Sequence, residues 1–256
     1  VAPPFEDTVC PSDVPRYPSF DHDLTDRPQS HRDYRDLRQG MTHTHSWEEW
    51  QPVLARAYEH ATLVDAALGR VVDTLERTGL DEDTLIIYTA DHGDVLGAHG
   101  VWFDKDAMLV EETVRVPLSV RGPGATRGAV CGQPVSNMDL VATVLEAAGA
   151  ERPEPCDSRS LMLLLRDPGT ARQEDLICEH HGHGTPCFQR LLRRGRYKYV
   201  AHLDDLDELY DLQADPYEGC NLVEDPQMGH LLEEMRERLA RARADDEPIL
   251  VVGDFD

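Results

Sequence analysis

Apolar residues recur at helical spacing from Trp47 to about Thr78. Trp50, Leu54, Tyr58, Ala61, Val64, Leu68, Val71, Val72 and Leu75 fall on one broad stripe, which predicts a long amphipathic helix. Ser46 with Glu49 three residues on forms a capping-box signature, and Gly79 suits a left-handed C-terminal stop. The pattern then changes. Thr84–Ala90 is a continuous apolar run bounded by acidic residues and by Asp91-His92-Gly93. A short run without alternation predicts a central strand of a parallel sheet, buried on both faces. Val116–Arg121 reads as a second strand, closed by Gly122-Pro123-Gly124. Met138–Ala148 reads as a helix with Asn137 as N-cap and Gly149 as C-cap, and Ser160–Leu165 as a short helix.

Further on, Asp175–Glu179, Phe188–Leu192 and Tyr197–His202 read as short strands, with residues 193–196 as a hairpin link. Acidic turns come next, including the run Asp204–Glu208, read as solvated. A helix from about Gln227 to Arg243 then carries the stripe Leu231, Leu232, Met235 and Leu239. Residues 1–45 are rich in Pro, Asp, His and Arg with little periodicity, and predict an extended arm. The division expected is thus an arm (1–45), an α/β unit (46–170) and a smaller antiparallel sheet-plus-helix unit (171–256).

Composition narrows the function classes. The chain has 256 residues and a formal net charge of −24. That balance excludes a nucleic-acid binder, which needs basic side chains to replace counterions, and disfavours an anionic membrane surface. No run approaches a membrane span. The six cysteines are scattered, without zinc-type spacing, and read as free thiols of a reducing compartment, with the cytoplasm favoured. Lys105 and Lys198 are the only lysines among 25 basic residues. Where a lysine stands in so arginine-rich a chain, a compact ammonium is the group needed.

The chemistry concentrates in Thr89–Lys105. Asp91 and His92 sit where a strand leaves the sheet, the usual place for ligands in α/β proteins. A carboxylate beside an imidazole can offer two ligands to a divalent cation. Gly93, Gly97 and Gly100 let the loop turn tightly, and it returns with His99 and then Lys105, a point charge suited to an oxyanion. An Asp-His-Gly turn after a strand can equally be structural. The histidines at 43, 45, 180, 181 and 183 read as solvated loop residues.

The block Thr84–Pro117, ending Glu111-Glu-Thr-Val-Arg-Val-Pro117, resembles the metal-binding segment of the type I sulfatases and the related phosphonate monoester hydrolases of the alkaline-phosphatase superfamily. Val135-Ser-Asn-Met-Asp-Leu140, Arg196-Tyr-Lys-Tyr199, Glu208-Leu-Tyr-Asp-Leu212 and Asp215-Pro-Tyr-Glu218 extend the likeness in order. It implies an alkaline-phosphatase-like α/β sandwich followed by a small antiparallel α+β subdomain. It implies Asp91 and His92 as metal ligands, with calcium first and manganese or magnesium as alternatives. Lys105 becomes the catalytic cation on a sulfate or phosphate ester, and Lys198 a strand residue. The family's formylglycine nucleophile arises in a Cys- or Ser-x-Pro-x-Arg motif. Cys10-Pro-Ser-Asp13, Ser12-Asp-Val-Pro-Arg16 and Cys156-Asp-Ser-Arg159 all fail that spacing. The chain is therefore expected to be the C-terminal half of such an enzyme, with little metal affinity and no turnover alone. The missing half or a second copy is expected to cover its apolar faces. A non-catalytic protein that kept the fold is the alternative from another class.

Overall fold

The structure is a computed structural model that describes residues 1, 3–42, 46–101, 105, 108–171, 175–182 and 187–243. His43, His45, His183 and the acidic run 245–247 lie outside these residues.

Residues 3–28 run without regular structure beyond one turn at Pro11–Asp13, and are anchored at a few buried positions. Val14 and Phe20 bury against Trp47, Trp50 and Leu54, and the Phe20 and Trp47 rings meet edge to face at 5.2 Å. The expected arm is then interrupted by a helix, α1 (Gln29–Thr42). Its sequence has few apolar positions, so periodicity gives little sign of it. Its first turn is capped instead from far along the chain: the Asp205 carboxylate accepts the backbone N–H groups of Gln29 and Ser30, both at 2.9 Å. A cap supplied by residue 205 is invisible to a local reading of residues 29–42.

Helix α2 (Trp47–Thr78) has the bounds its pattern predicts. The capping box forms, and Gly79 closes the helix at φ 71°. Only its start is covered: Trp47, Trp50, Leu54, Ala55 and Glu59 are buried, while Val64 and Val71 are 47 % and 56 % exposed. Strand β1 (Ile86–Thr89) departs from expectation. It pairs antiparallel with β2 (Leu118–Arg121), Ile86 opposite Arg121, and is half-exposed rather than central and buried. An unalternating apolar run specifies apolar surroundings on both faces, but not the direction of the neighbouring strand.

Between β1 and β2 lie two single turns, α3 (Ala98–Val101) and α4 (Glu111–Val114). Helices α5 (Asp139–Ala147) and α6 (Met162–Arg166) come after β2. The α5 surface leaves Met138, Val141 and Val144 more than half exposed. Together with α2 this is more apolar surface than a solvated helix pair needs.

The C-terminal unit is a four-stranded antiparallel sheet in sequence order: β3 (Leu176–His180), β4 (Gln189–Arg194), β5 (Tyr197–His202) and β6 (Glu208–Asp211). Alternation sorts its two faces. Leu192, Tyr199 and Leu209 pack under Leu232, Met235 and Leu239 of α7 (Gly229–Arg243). Leu191, Val200 and Cys178 face the other way, onto Leu109 and Val114. The sheet thus rests on the segment that comes after the Asp91–Lys105 loop. The acidic run before β6 is not a solvated turn: Glu208 is buried, Asp205 caps α1, and Asp207 accepts from the Tyr199 hydroxyl at 2.7 Å. All six cysteines are free thiols.

Candidate functional site

Thr89 ends β1, and Asn137 pins the backbone just beyond it. Rather than capping α5, the Asn137 side-chain amide donates to the Ala90 carbonyl at 2.9 Å. The Asp139 carboxylate instead ties the helix to its neighbours, accepting from the backbone N–H groups of Ser136 and Arg159, each at 3.0 Å. Nothing in a single sequence marks Asn137 for this duty, since an Asn before a helix is the expected cap.

Beyond that pin stand Asp91 and His92. The His92 backbone N–H donates to Asp91 Oδ1 at 3.0 Å, and this bond, with the nearby Lys105 charge, holds the Asp91 carboxyl below its ordinary range. His92 Nδ1 lies 2.8 Å from the Gly93 carbonyl, which can only accept, so the proton sits on Nδ1 and the Nε2 lone pair is available. Lys105 Nζ donates to that lone pair at 2.5 Å. Asp91 Oδ2 is 3.5 Å from the same nitrogen. Metal–ligand bonds of about 2.0–2.4 Å would span such a pair at an angle of roughly 100°. The donor set of one ionised carboxylate and one neutral imidazole nitrogen, both solvent-accessible, therefore fits a divalent cation, with Lys105 beside it. The three residues predicted from sequence come together.

The loop is held by close packing. A Cβ on Gly93 would lie 1.9 Å from the Glu112 carbonyl oxygen, and the Gly93 N–H donates to the Thr113 carbonyl at 2.8 Å. Only glycine permits this approach. Gly97, at φ 92°, sits against the Trp50 indole. His99 is fully buried and left-handed at φ 53°, with Nε2 2.9 Å from Glu112 Oε2. Burial pushes the Glu112 carboxyl up, but the hydrogen bond from His99 outweighs it and holds Glu112 below its usual range.

The other titratable clusters are bound into ion pairs. Lys198 is fully buried on β5 with Nζ 2.7 Å from Glu218 Oε1, as its strand reading implied. Glu208 accepts from Arg27 at 2.8 Å and from the Tyr210 hydroxyl at 2.5 Å, and contacts His202 Nε2 at 2.8 Å. His31, His202 and Glu208 are close enough to share a metal, as are His99, Glu112 and Glu218. A cation at either place would meet the buried charge of Arg27 or Lys198. At the end of β3, Glu179 pairs with Arg190 at 2.6 Å and with His181 at 3.4 Å.

Comparison with known proteins decides the family. Residues 7–150 match the sulfatase family model, and residues 97–245 match that of the C-terminal region of N-sulphoglucosamine sulphohydrolase. The chain belongs to the sulfatase family. It is 37 % identical over 175 residues to the choline-sulfatase of Rhizobium meliloti, an alignment spanning 67 % of this chain and 33 % of that protein. It is 33 % identical over 195 residues to the multifunctional alkaline phosphatase superfamily protein PehA of Trinickia caryophylli, covering 69 % of this chain and 37 % of that one. The phosphonate monoester hydrolase of Silicibacter pomeroyi superposes with a TM-score of 0.81 at 26 % identity, over 96 % of this chain and 53 % of that structure. The fold is accordingly the α/β fold of the alkaline-phosphatase type, and this sulfatase-family chain spans between a third and about half of these relatives' lengths. Among the described residues, no helix is long and apolar enough to cross a membrane.

Proposed function

We propose that this chain supplies the metal-ligating and oxyanion-stabilising part of a sulfuric ester hydrolase. Asp91 and His92 are the metal ligands, and Lys105 is the catalytic and substrate-binding cation. The observation that carries the reading is the meeting of Asp91 Oδ2, His92 Nε2 and Lys105 Nζ at one strand end. A divalent cation bound there, calcium first with manganese or magnesium as alternatives, supplies Lewis-acid polarisation of the ester and of its nucleophile. Asp91 is ionised and ready for that charge. The Gly93 carbonyl keeps the His92 proton on Nδ1 and so directs Nε2 outward. Lys105 Nζ, beside His92 Nε2, would meet the equatorial oxygens of an ester placed at this strand end and offset the charge that builds on them. The formylglycine nucleophile and further ligands belong to a part of the enzyme that this sequence does not contain. On this reading 1–45 is an arm that carries α1, 46–170 the site-bearing half of the α/β domain, and 171–256 the subdomain that supports it.

A second reading, hydrolysis of phosphonate monoesters or phosphodiesters, is favoured by the imidazole ligand and by the structural likeness to a phosphonate monoester hydrolase. Calorimetric titration of the chain with Mn²⁺ and Ca²⁺ tests the site. Weak binding that disappears in Asp91→Ala and His92→Ala supports the assignment, and binding unchanged in both overturns it. In the full enzyme, side-by-side turnover of the sulfate and phosphate esters of one nitrophenol separates the two readings.

A further inference from the structure

The start and the middle of the Asp91–Lys105 loop are both held on the same short turn, α4. At its start, Gly93 is pressed on the Glu112 carbonyl and bonded to Thr113. In its middle, the fully buried His99 ring reaches the Glu112 carboxylate. His99 holds a left-handed backbone that costs a non-glycine residue free energy and persists only when its surroundings demand it. The contacts fix its protonation. Nδ1 is buried without a hydrogen-bond partner, so a proton there would be an unsatisfied donor. The proton therefore sits on Nε2 and is donated to Glu112, an ionised acceptor. The turn α4 is itself anchored to the C-terminal sheet. The Glu111 N–H donates to Glu218 Oε2 at 2.7 Å, and Glu218 is ion-paired with the buried Lys198. Thr113 Oγ1 also closes onto the Met108 and Val110 carbonyls, at 2.6 and 2.9 Å.

We propose that His99 and Glu112 are a positioning pair, which sets Lys105 against His92 by tying the loop between them to the anchored turn α4. This rests on the reading of Asp91, His92 and Lys105 as the site, but it is a claim about loop geometry and can fail separately. The two lysines make it measurable. Lys105 is partly exposed and bonded to His92, whereas Lys198 is sealed and reports whether the fold is intact.

The experiment is competitive acylation of the whole chain with a limiting N-hydroxysuccinimide ester, read at each lysine by mass spectrometry. His99→Ala and Glu112→Met, which keeps side-chain length but removes both acceptors, should label Lys105 about fivefold faster, the effect of releasing one net hydrogen bond. Lys198 should stay protected. His99→Gln, whose amide nitrogen can stand in for Nε2, should restore the slow rate. Unchanged Lys105 labelling in both disruptive variants overturns the proposal. So does loss of Lys198 protection in Glu112→Met, since the pair would then be holding the fold rather than the loop. A Mn²⁺ titration of the unmodified chain runs alongside. Absent binding there counts against the proposed function and leaves the labelling result standing.

Discussion

Arg27→Met should be among the most damaging single changes in this chain, and its cost should depend on pH in a defined way. Arg27 is 2 % exposed, Glu208 likewise, and they pair at 2.8 Å. The guanidinium also donates to the Glu218 carbonyl and stacks 4.6 Å from the Tyr210 ring centroid. Met fills much of the space but leaves a buried carboxylate without its fixed counter-charge. Removing one member of a buried pair costs about 3–5 kcal/mol. Burial alone would push the Glu208 carboxyl up, yet His31, His202 and Arg27 hold it well below its usual range. A depressed carboxyl stabilises the fold above its unfolded value, near pH 4.3, and that contribution fades as pH falls through the lower folded value. Without Arg27 the carboxyl rises, so the variant can relieve its penalty by taking up a proton. Urea unfolding at pH 8 and pH 5 should therefore show a loss of about 3–5 kcal/mol at the higher pH and a smaller one at the lower. A loss below about 1 kcal/mol at pH 8, the scale of an exposed pair, would refute the reasoning. So would an equal loss at both pH values.

Ser46→Ala should cost about 1 kcal/mol by opening the capping box of α2, read as a lower urea midpoint at unchanged slope. Gly93→Ala places a methyl 1.9 Å from a backbone oxygen, so the turn must move; a loss of about 1–3 kcal/mol is expected together with loss of Mn²⁺ binding in calorimetry. Asp205 is pushed up by burial but brought down to about 2 by the N–H groups of Ser30, Leu206 and Gln29. Its contribution is complete above about pH 4 and lost as pH falls towards 2. Asp205→Asn should accordingly flatten the acid limb of the stability profile in that interval, and circular dichroism should show earlier fraying of α1.

The sequence is most legible where structure is local. The α2 capping box and the stripe of α7 depend on residues within a few turns of one another, and both form where their patterns lie. The meeting of Asp91, His92 and Lys105 is foreseeable through resemblance, because spacing alone does not say that a 13-residue excursion returns to its start. The hidden features are supplied across long separations. Helix α1 is capped from residue 205, and the run read as a solvated turn holds a carboxylate buried by Arg27. The direction of the β1–β2 pairing is hidden for another reason: side-chain pattern reports burial, and strand direction leaves no trace in it.

The choice between lysine and arginine shows how this acidic chain places positive charge inside itself. Arg27 serves a site with several acceptors around one plane: a carboxylate oxygen of Glu208, the Glu218 carbonyl and the face of Tyr210. A guanidinium meets all three at once, and an ammonium would leave some unmet. At Lys198 the main partner is the single oxygen Glu218 Oε1, with Glu111 farther off at 3.5 Å, and a fork would strand unsatisfied donors in a fully buried place. Lys105 meets the lone pair of His92 Nε2. A point charge that can leave that nitrogen for an oxyanion suits the proposed chemistry, whereas a planar fork would be held by its other donors. Lys105→Arg should therefore behave unlike a conservative change. In the full enzyme, turnover should fall by about 10²–10³, as for loss of an oxyanion donor, with KM much less affected. Turnover within a few-fold of the unmodified enzyme would mean that net charge at this position, and not its compact form, is what the site requires.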